Sequence, residues 1–150
     1  MPESTETPIF MIGPGTGIVP FIGFMQERCK LRDEQKKTLG NAYLYFGCRQ
    51  KDNDFIYRDF MAEMHDAKVI TELNIALSRE ANQPKQYVQD LLAQHKQLVI
   101  DAVVKQKGYV YICGSTTMGS DVQKLLKETL GADFDKMNDD KRLLVELWAS

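Results

Sequence analysis

The apolar run Pro8-Ile9-Phe10-Met11-Ile12 breaks into Gly13-Pro14-Gly15-Thr16-Gly17 and resumes as Ile18-Val19-Pro20-Phe21-Ile22. A short buried strand that passes through glycines into a helix leaves backbone N–H groups without intrachain partners, and an anion can take their place. Pro14 fixes φ, the glycines accept positive φ and close backbone approach, and Thr16 adds a hydroxyl. The first ligand suggested by this turn is therefore a nucleotide phosphate.

Two common phosphate loops do not fit. The Walker pattern needs Lys and then Ser or Thr directly after a glycine, and nothing after Gly17 supplies them. The dinucleotide fingerprint wants its third glycine where this chain has Ile18, and Pro14 and Pro20 stiffen a loop that the fingerprint keeps flexible.

A length of 150 residues suits one domain, and 43% apolar content is enough for a core. The net charge is −2, and no segment concentrates Lys and Arg as a nucleic-acid face does. Apolar stretches fall well short of the roughly 20 residues of a membrane span, and residues 1–7 are polar and acidic, unlike a signal peptide. Cys29, Cys48 and Cys113 are odd in number and widely spaced, with only His65 and His95 to assist a metal. Neither a disulfide framework nor a zinc site is expected, and a reducing, intracellular compartment fits best.

Runs of β-branched and aromatic residues place strands near 8–12, 42–47, 68–77 or only the second half of that span, 109–113 and 143–147. Helical patterns fall near 18–32, 54–65, 85–94, 96–107 and 118–130, the last with Val122, Leu125, Leu126 and Leu130 on one face and Gly131 as its C-cap. Strand then helix, repeated, specifies an α/β domain: a doubly wound, mostly parallel five-stranded sheet with helices on both faces, over residues 8–150 and preceded by a flexible segment, 1–7. Ligands in such folds bind at the carboxyl ends of the strands. The polar segments that follow strands, Gly13 to Gly17, Gly47-Cys48-Arg49, Ser78-Arg79-Glu80 and Cys113 to Thr117, should gather on that edge.

Within this edge, Gly15, Thr16, Gly17, Cys48 and Arg49 are candidates for the pyrophosphate side, Arg49 as a forked donor or simply as a solvated charge. Ser78, Arg79, Lys85, Tyr87 and Gln89 bring two cations, two hydroxyls and an amide within twelve residues of chain. Such a set suits a monophosphate ester, with Tyr87 able to stack on a purine, and an arginine there marks a phosphorylated ribose. Asp121 fits two roles, favouring the N-terminal dipole of its helix or contacting a ribose. Cys113 ends a strand, where its thiol is either core or a small polarizable contact for a nicotinamide. Trp148, the only tryptophan, stands two residues from the end of the sequence, a position that invites a flat ring as partner.

Taken in order, Gly13 to Phe24 with Gln26-Glu27-Arg28, then Tyr45-Phe46-Gly47-Cys48-Arg49, Leu73 to Glu80, Lys85 to Gln89, Tyr111-Ile112-Cys113-Gly114, Asp121-Val122-Gln123 and Glu146-Leu147-Trp148 resemble the NADP-binding domain of the diflavin reductases, the NADPH-cytochrome P-450 reductase family. The resemblance implies the ferredoxin-NADP reductase type of fold. It implies that Thr16 and Arg49 meet the pyrophosphate, that Ser78, Arg79, Lys85, Tyr87 and Gln89 hold the 2′-phosphate and adenine, and that Asp121 belongs to the nucleotide pocket. It further implies that Cys113 and Glu146 assist hydride transfer and that Trp148 covers the flavin ring and moves aside for nicotinamide.

The implied activity is an NADPH-dependent flavoprotein reductase. NADP(H) binds here, FAD- and FMN-binding domains lie elsewhere in a longer chain, and a cytochrome or another haem protein accepts the electrons. A fragment without flavin is expected to bind NADP(H) and be inactive. An N-terminal anchor upstream would put the whole protein on the cytoplasmic face of the endoplasmic reticulum. Other readings are the NADP-binding domain of a single-flavin ferredoxin-NADP reductase and a non-catalytic nucleotide-binding module. The chain departs from the family pattern in four places: Glu146 stands for a common Asp, Ser115 for a common acid, the spacing from Cys113 to Asp121 is one residue shorter, and the loop from Arg79 to Lys85 is one longer.

Overall fold

Alternate residues of each inner strand are buried on opposite faces of one sheet, and this sorts the helices into two layers. In the computed structural model, which describes residues 2, 4–48, 57–79, 82 and 84–148, strand β1 (Ile9–Ile12) is buried along its whole length. It pairs in parallel with β2 (Ala42–Cys48) on one side and β4 (Tyr109–Ser115) on the other. β3 (Glu72–Leu77) extends the sheet beyond β2, and β5 (Leu143–Trp148) extends it beyond β4. The order is β3-β2-β1-β4-β5, with every pairing parallel.

Ile9 and Met11 face one layer, together with Leu44, Phe46, Tyr111 and Cys113. That layer is α1 (Val19–Asp33), through Phe21 and Met25, and α2 (Arg58–Asp66), through Met61 and Met64. Phe10 and Ile12 face the other, with Tyr43, Tyr45, Val110 and Ile112. Here pack α3 (Val88–Gln94), α4 (Lys96–Ile100), α5 (Thr116–Leu130) and α6 (Ala132–Asp139). Phe10 stacks on Tyr43 with ring centroids 4.8 Å apart. A strand buried on both faces reads as a continuous apolar run, as parallel sheets require.

The expected doubly wound parallel sheet is present, with several element bounds moved. The helix expected from residue 18 starts with a 3-10 turn, Gly15–Ile18, before α1, where Pro20 occupies the first turn and needs no N–H partner. The expected helix 85–94 begins only at Val88, after an extended Tyr87, because Pro84, Lys85 and Gln86 precede it without helical structure. The span 96–107 is α4 followed by a π-helical turn, Asp101–Lys105. Helix α6 has no counterpart among the expected helices: Gly131, at φ +58°, ends α5 as expected but also begins α6, whose Phe134 and Met137 continue the apolar stripe of α5.

Two buried arginines tie down the amino edge of the sheet. Arg28, only 3% exposed, donates to the carbonyls of Val69 and Gly40 at 3.3 and 2.6 Å, and burial lowers its pKa to about 10. Arg142 donates to Val103 and Gly108 at 2.9 and 3.0 Å. With the connections at that edge fixed by side chains, the carboxyl edge is left for a site.

Candidate functional site

The turn after β1 is folded back over the carboxyl ends of its neighbours. Gly13 donates to the Tyr45 carbonyl at 3.0 Å, and Gly17 donates to Pro14 at 3.0 Å to close the 3-10 turn. A Cβ on Gly17 would fall on the carbonyl oxygen of Cys113, so the turn lies directly on the end of β4. Gly15 has φ +57° and open space where a Cβ would point, and Thr16 beside it is exposed. A left-handed glycine facing open space, next to an exposed hydroxyl, lets an anion approach the backbone closely.

On the face of α3 and α5 this turn borders a cleft of about 440 Å³. Pro14 forms one wall; Gly47 and Cys48 of β2 and Ser78 after β3 form the floor. Gln86, Tyr87, Val88 and Gln89 contribute from the start of α3, and Ser115, Thr117, Met118 and Asp121 from the start of α5. The loop that supplies α3 is anchored at both ends, since Ser78 N–H donates to Cys48 at 3.1 Å and Gln86 N–H donates to Leu77 at 3.0 Å. The Asp90 carboxylate accepts from the Tyr87 N–H at 2.9 Å and so fixes the first turn of α3. The Gln89 side-chain carbonyl is buried there without a hydrogen-bond partner among the described residues. An orphaned buried acceptor in a cleft wall is a place for a ligand donor to dock.

Cys48, Ser78, Tyr87, Gln89 and Asp121 thus come together in one cleft from four elements. Arg79 and Lys85 are exposed, each next in sequence to a residue that lines it. Gly15, Thr16 and Gly17 follow Pro14, the residue of the turn that lines the cleft, and do not line it themselves; Arg49 falls outside the described residues. Gln86 and Met118 also line the cleft and are not among the residues that the sequence singles out. Pairing of Gln86 with the end of β3 is a tertiary fact, although Met118 could have been found as the apolar residue one turn into α5.

A second cleft, about 390 Å³, opens on the opposite face between α1 and the β4-β5 edge. Pro20, Phe21 and Phe24 stand on one side, with Tyr111, Cys113, Leu144 and Glu146 on the other. The parallel register sets Cys113 beside Glu146, and the thiol lies 3.8 Å from Glu146 Oε2 as its donor. Burial first, then the Glu146 charge, pushes the Cys113 thiol up to about 11, so it is a neutral thiol at pH 7. The extra methylene of Glu146 relative to Asp does not take its carboxylate out of reach of the sulfur. Trp148 ends β5 with 41% exposure.

Glu146→Gln is expected to bring the Cys113 titration down only part of the way towards the ordinary thiol range, because burial, the larger cause, remains. Thiolate absorbance against pH measures this; a titration unmoved by the substitution would remove Glu146 as a cause. A pKa raised on folding also fixes the sign of the stability change. Cys113 stabilises the fold fully below the unfolded thiol pKa, and that contribution is lost as pH rises through about 11.

A doubly wound parallel α/β domain, with a glycine turn over its carboxyl edge and a cleft on either side of that turn, is a nucleotide-binding class of fold. The family model of the oxidoreductase NAD-binding domain matches residues 11–124. The chain belongs to that family, and its motifs are those of the NADP-binding domain of diflavin reductases. It is 35% identical to methionine synthase reductase of Rattus norvegicus, over 99% of this chain and 24% of that protein. It is 41% identical to NADPH--cytochrome P450 reductase of Rattus norvegicus, over 91% of this chain and 20% of that protein, and 44% identical to the same enzyme of Bos taurus, over 82% and 18%. The chain therefore spans less than a quarter of the length of these relatives.

Proposed function

We propose that the domain binds NADPH across the carboxyl edge and presents it for hydride transfer to an FAD held by another domain, with electrons passing through FMN to a haem protein or another acceptor. The observation that carries this reading is the pair of clefts on opposite faces, one lined by Pro14 of the glycine turn and the other by Cys113, on whose carbonyl Gly17 of the same turn packs. A dinucleotide has the same division, an adenosine end to be recognised and a nicotinamide end to react.

On this reading Ser78, Arg79, Lys85 and Tyr87 surround the 2′-phosphate, and the buried Gln89 carbonyl and Asp121 take donors of the adenosine half. Thr16, the backbone at Gly15 and Arg49 serve the pyrophosphate. When bound, the nicotinamide supplies a hydride. Cys113 contributes a neutral, weakly donating contact beside it and Glu146 keeps that thiol oriented, while Pro20, Phe21 and Phe24 narrow the access of water. A covering flavin domain is supported by the exposed Leu144, Val145 and Trp148 along the edge strand, at 42%, 38% and 41%, and by the buried Tyr111 hydroxyl, which has no partner among the described residues.

Calorimetry with NADPH and NADH tests the binding half of the proposal. Binding of NADPH with clearly higher affinity is expected; equal affinities would dismiss 2′-phosphate recognition, and no heat with either would dismiss the site. Addition of a purified FAD-binding domain from a relative, with NADPH oxidation followed at 340 nm, tests the catalytic half.

A further inference from the structure

The end of β5 has a tether outside the sheet ladder. β5 is an edge strand, and its last register pair joins Ser115 to Trp148. Beyond that ladder, the hydroxyl of Thr116, the first residue of α5, donates to the Trp148 carbonyl at 3.2 Å. The residues on either side of Thr116 serve a different surface. Ser115 and Thr117 line the cleft assigned to adenosine, and Ser115 Oγ accepts from Met118 N–H at 3.2 Å to cap the helix. One turn of α5 therefore carries both a wall of that cleft and a hold on the tryptophan.

We propose that Thr116 is a positioning residue that transmits occupancy of the cleft to Trp148. A ligand that engages Ser115 or Thr117 orders the first turn of α5, and the Thr116 hydroxyl passes that order to the end of β5. The inference rests on the nucleotide reading of the cleft. It needs an O–H at position 116: serine keeps it, and valine, of nearly the same shape, loses it.

Trp148 is the only tryptophan of the chain, so its emission reports on this position alone. The probe is adenosine 2′,5′-bisphosphate, which carries no nicotinamide to meet the ring directly. In the unmodified chain, Trp148 anisotropy should rise and acrylamide quenching should fall along the same curve as the calorimetric binding. Thr116→Val should still bind the probe, with an affinity lowered only by the coupling it has lost, start from a more quenchable Trp148 and lose the response, whereas Thr116→Ser restores both. An equal response in Thr116→Val overturns the coupling, as does binding heat in the unmodified chain with no change at Trp148. Absence of binding heat overturns the cleft reading and the coupling with it. Far-ultraviolet circular dichroism of each variant establishes that the comparison is between folded chains.

Discussion

Arg79→Ala lowers the affinity of the chain for NADPH by about 2–4 kcal/mol, about 30- to 900-fold, and leaves NADH nearly unchanged. The reason is the charge of the extra phosphate: a dianion loses a forked cationic partner, and NADH has no group there to lose it. Arg79 follows Ser78, whose N–H is fixed on the Cys48 carbonyl at 3.1 Å, so its backbone starts from a set position at the cleft. Its side chain is exposed and already engaged within the protein, and part of the attraction is therefore screened and part exchanged. Isothermal titration of both cofactors against both chains measures the effect. A similar loss for NADPH and NADH would show that Arg79 supports the loop and does not read the phosphate.

The second large effect concerns the turn itself. Gly17→Ala is expected to destabilise the fold by about 3 kcal/mol, because the added Cβ meets the backbone carbonyl of Cys113 and no rotamer change relieves it. For a domain of this size that corresponds to a melting temperature about 6–12 °C lower. Gly23, on the exposed side of α1, has nothing within 4 Å of the place a Cβ would take, so Gly23→Ala should instead stabilise by up to about 1 kcal/mol. Thermal melts of the two variants decide it: equal shifts would mean that the close approach of the turn to β4 does not matter. Because Gly17 sits between the two clefts, the same substitution should weaken NADPH binding as well as the fold.

Several features were legible in the chain because their cause is local. Ile9 to Ile12 reads as a buried strand, since each residue on it is apolar and each is covered by one helical layer or the other. The strand at 72–77 occupies the second half of its expected span, where Leu73, Ile75 and Leu77 alternate. The π-helical turn at Asp101–Lys105 and helix α6 were not legible. The first is followed by Gly108 N–H donating back to the Ala102 carbonyl at 2.8 Å, a contact that no apolar period signals, and the second rests on apolar positions that make sense only as an extension of α5. Arg28 looks like any surface cation of a helix until its loop carbonyls close over it.

Within the candidate site, residue types were evident and partnerships were not. Cys113 and Glu146 are 33 positions apart, and only the parallel pairing of β4 with β5 puts sulfur and carboxylate side by side. The same holds for Gln86 against Leu77 and Thr116 against Trp148. What the amino-acid order determined was the alternation of strand and helix, the glycine turn and the family motifs, because backbone conformation and apolar period are properties of neighbouring residues. Tertiary structure alone decided the strand order, the division into two clefts and the environment that raises the Cys113 thiol. Those depend on desolvation and on contacts between segments that only meet once the sheet has formed.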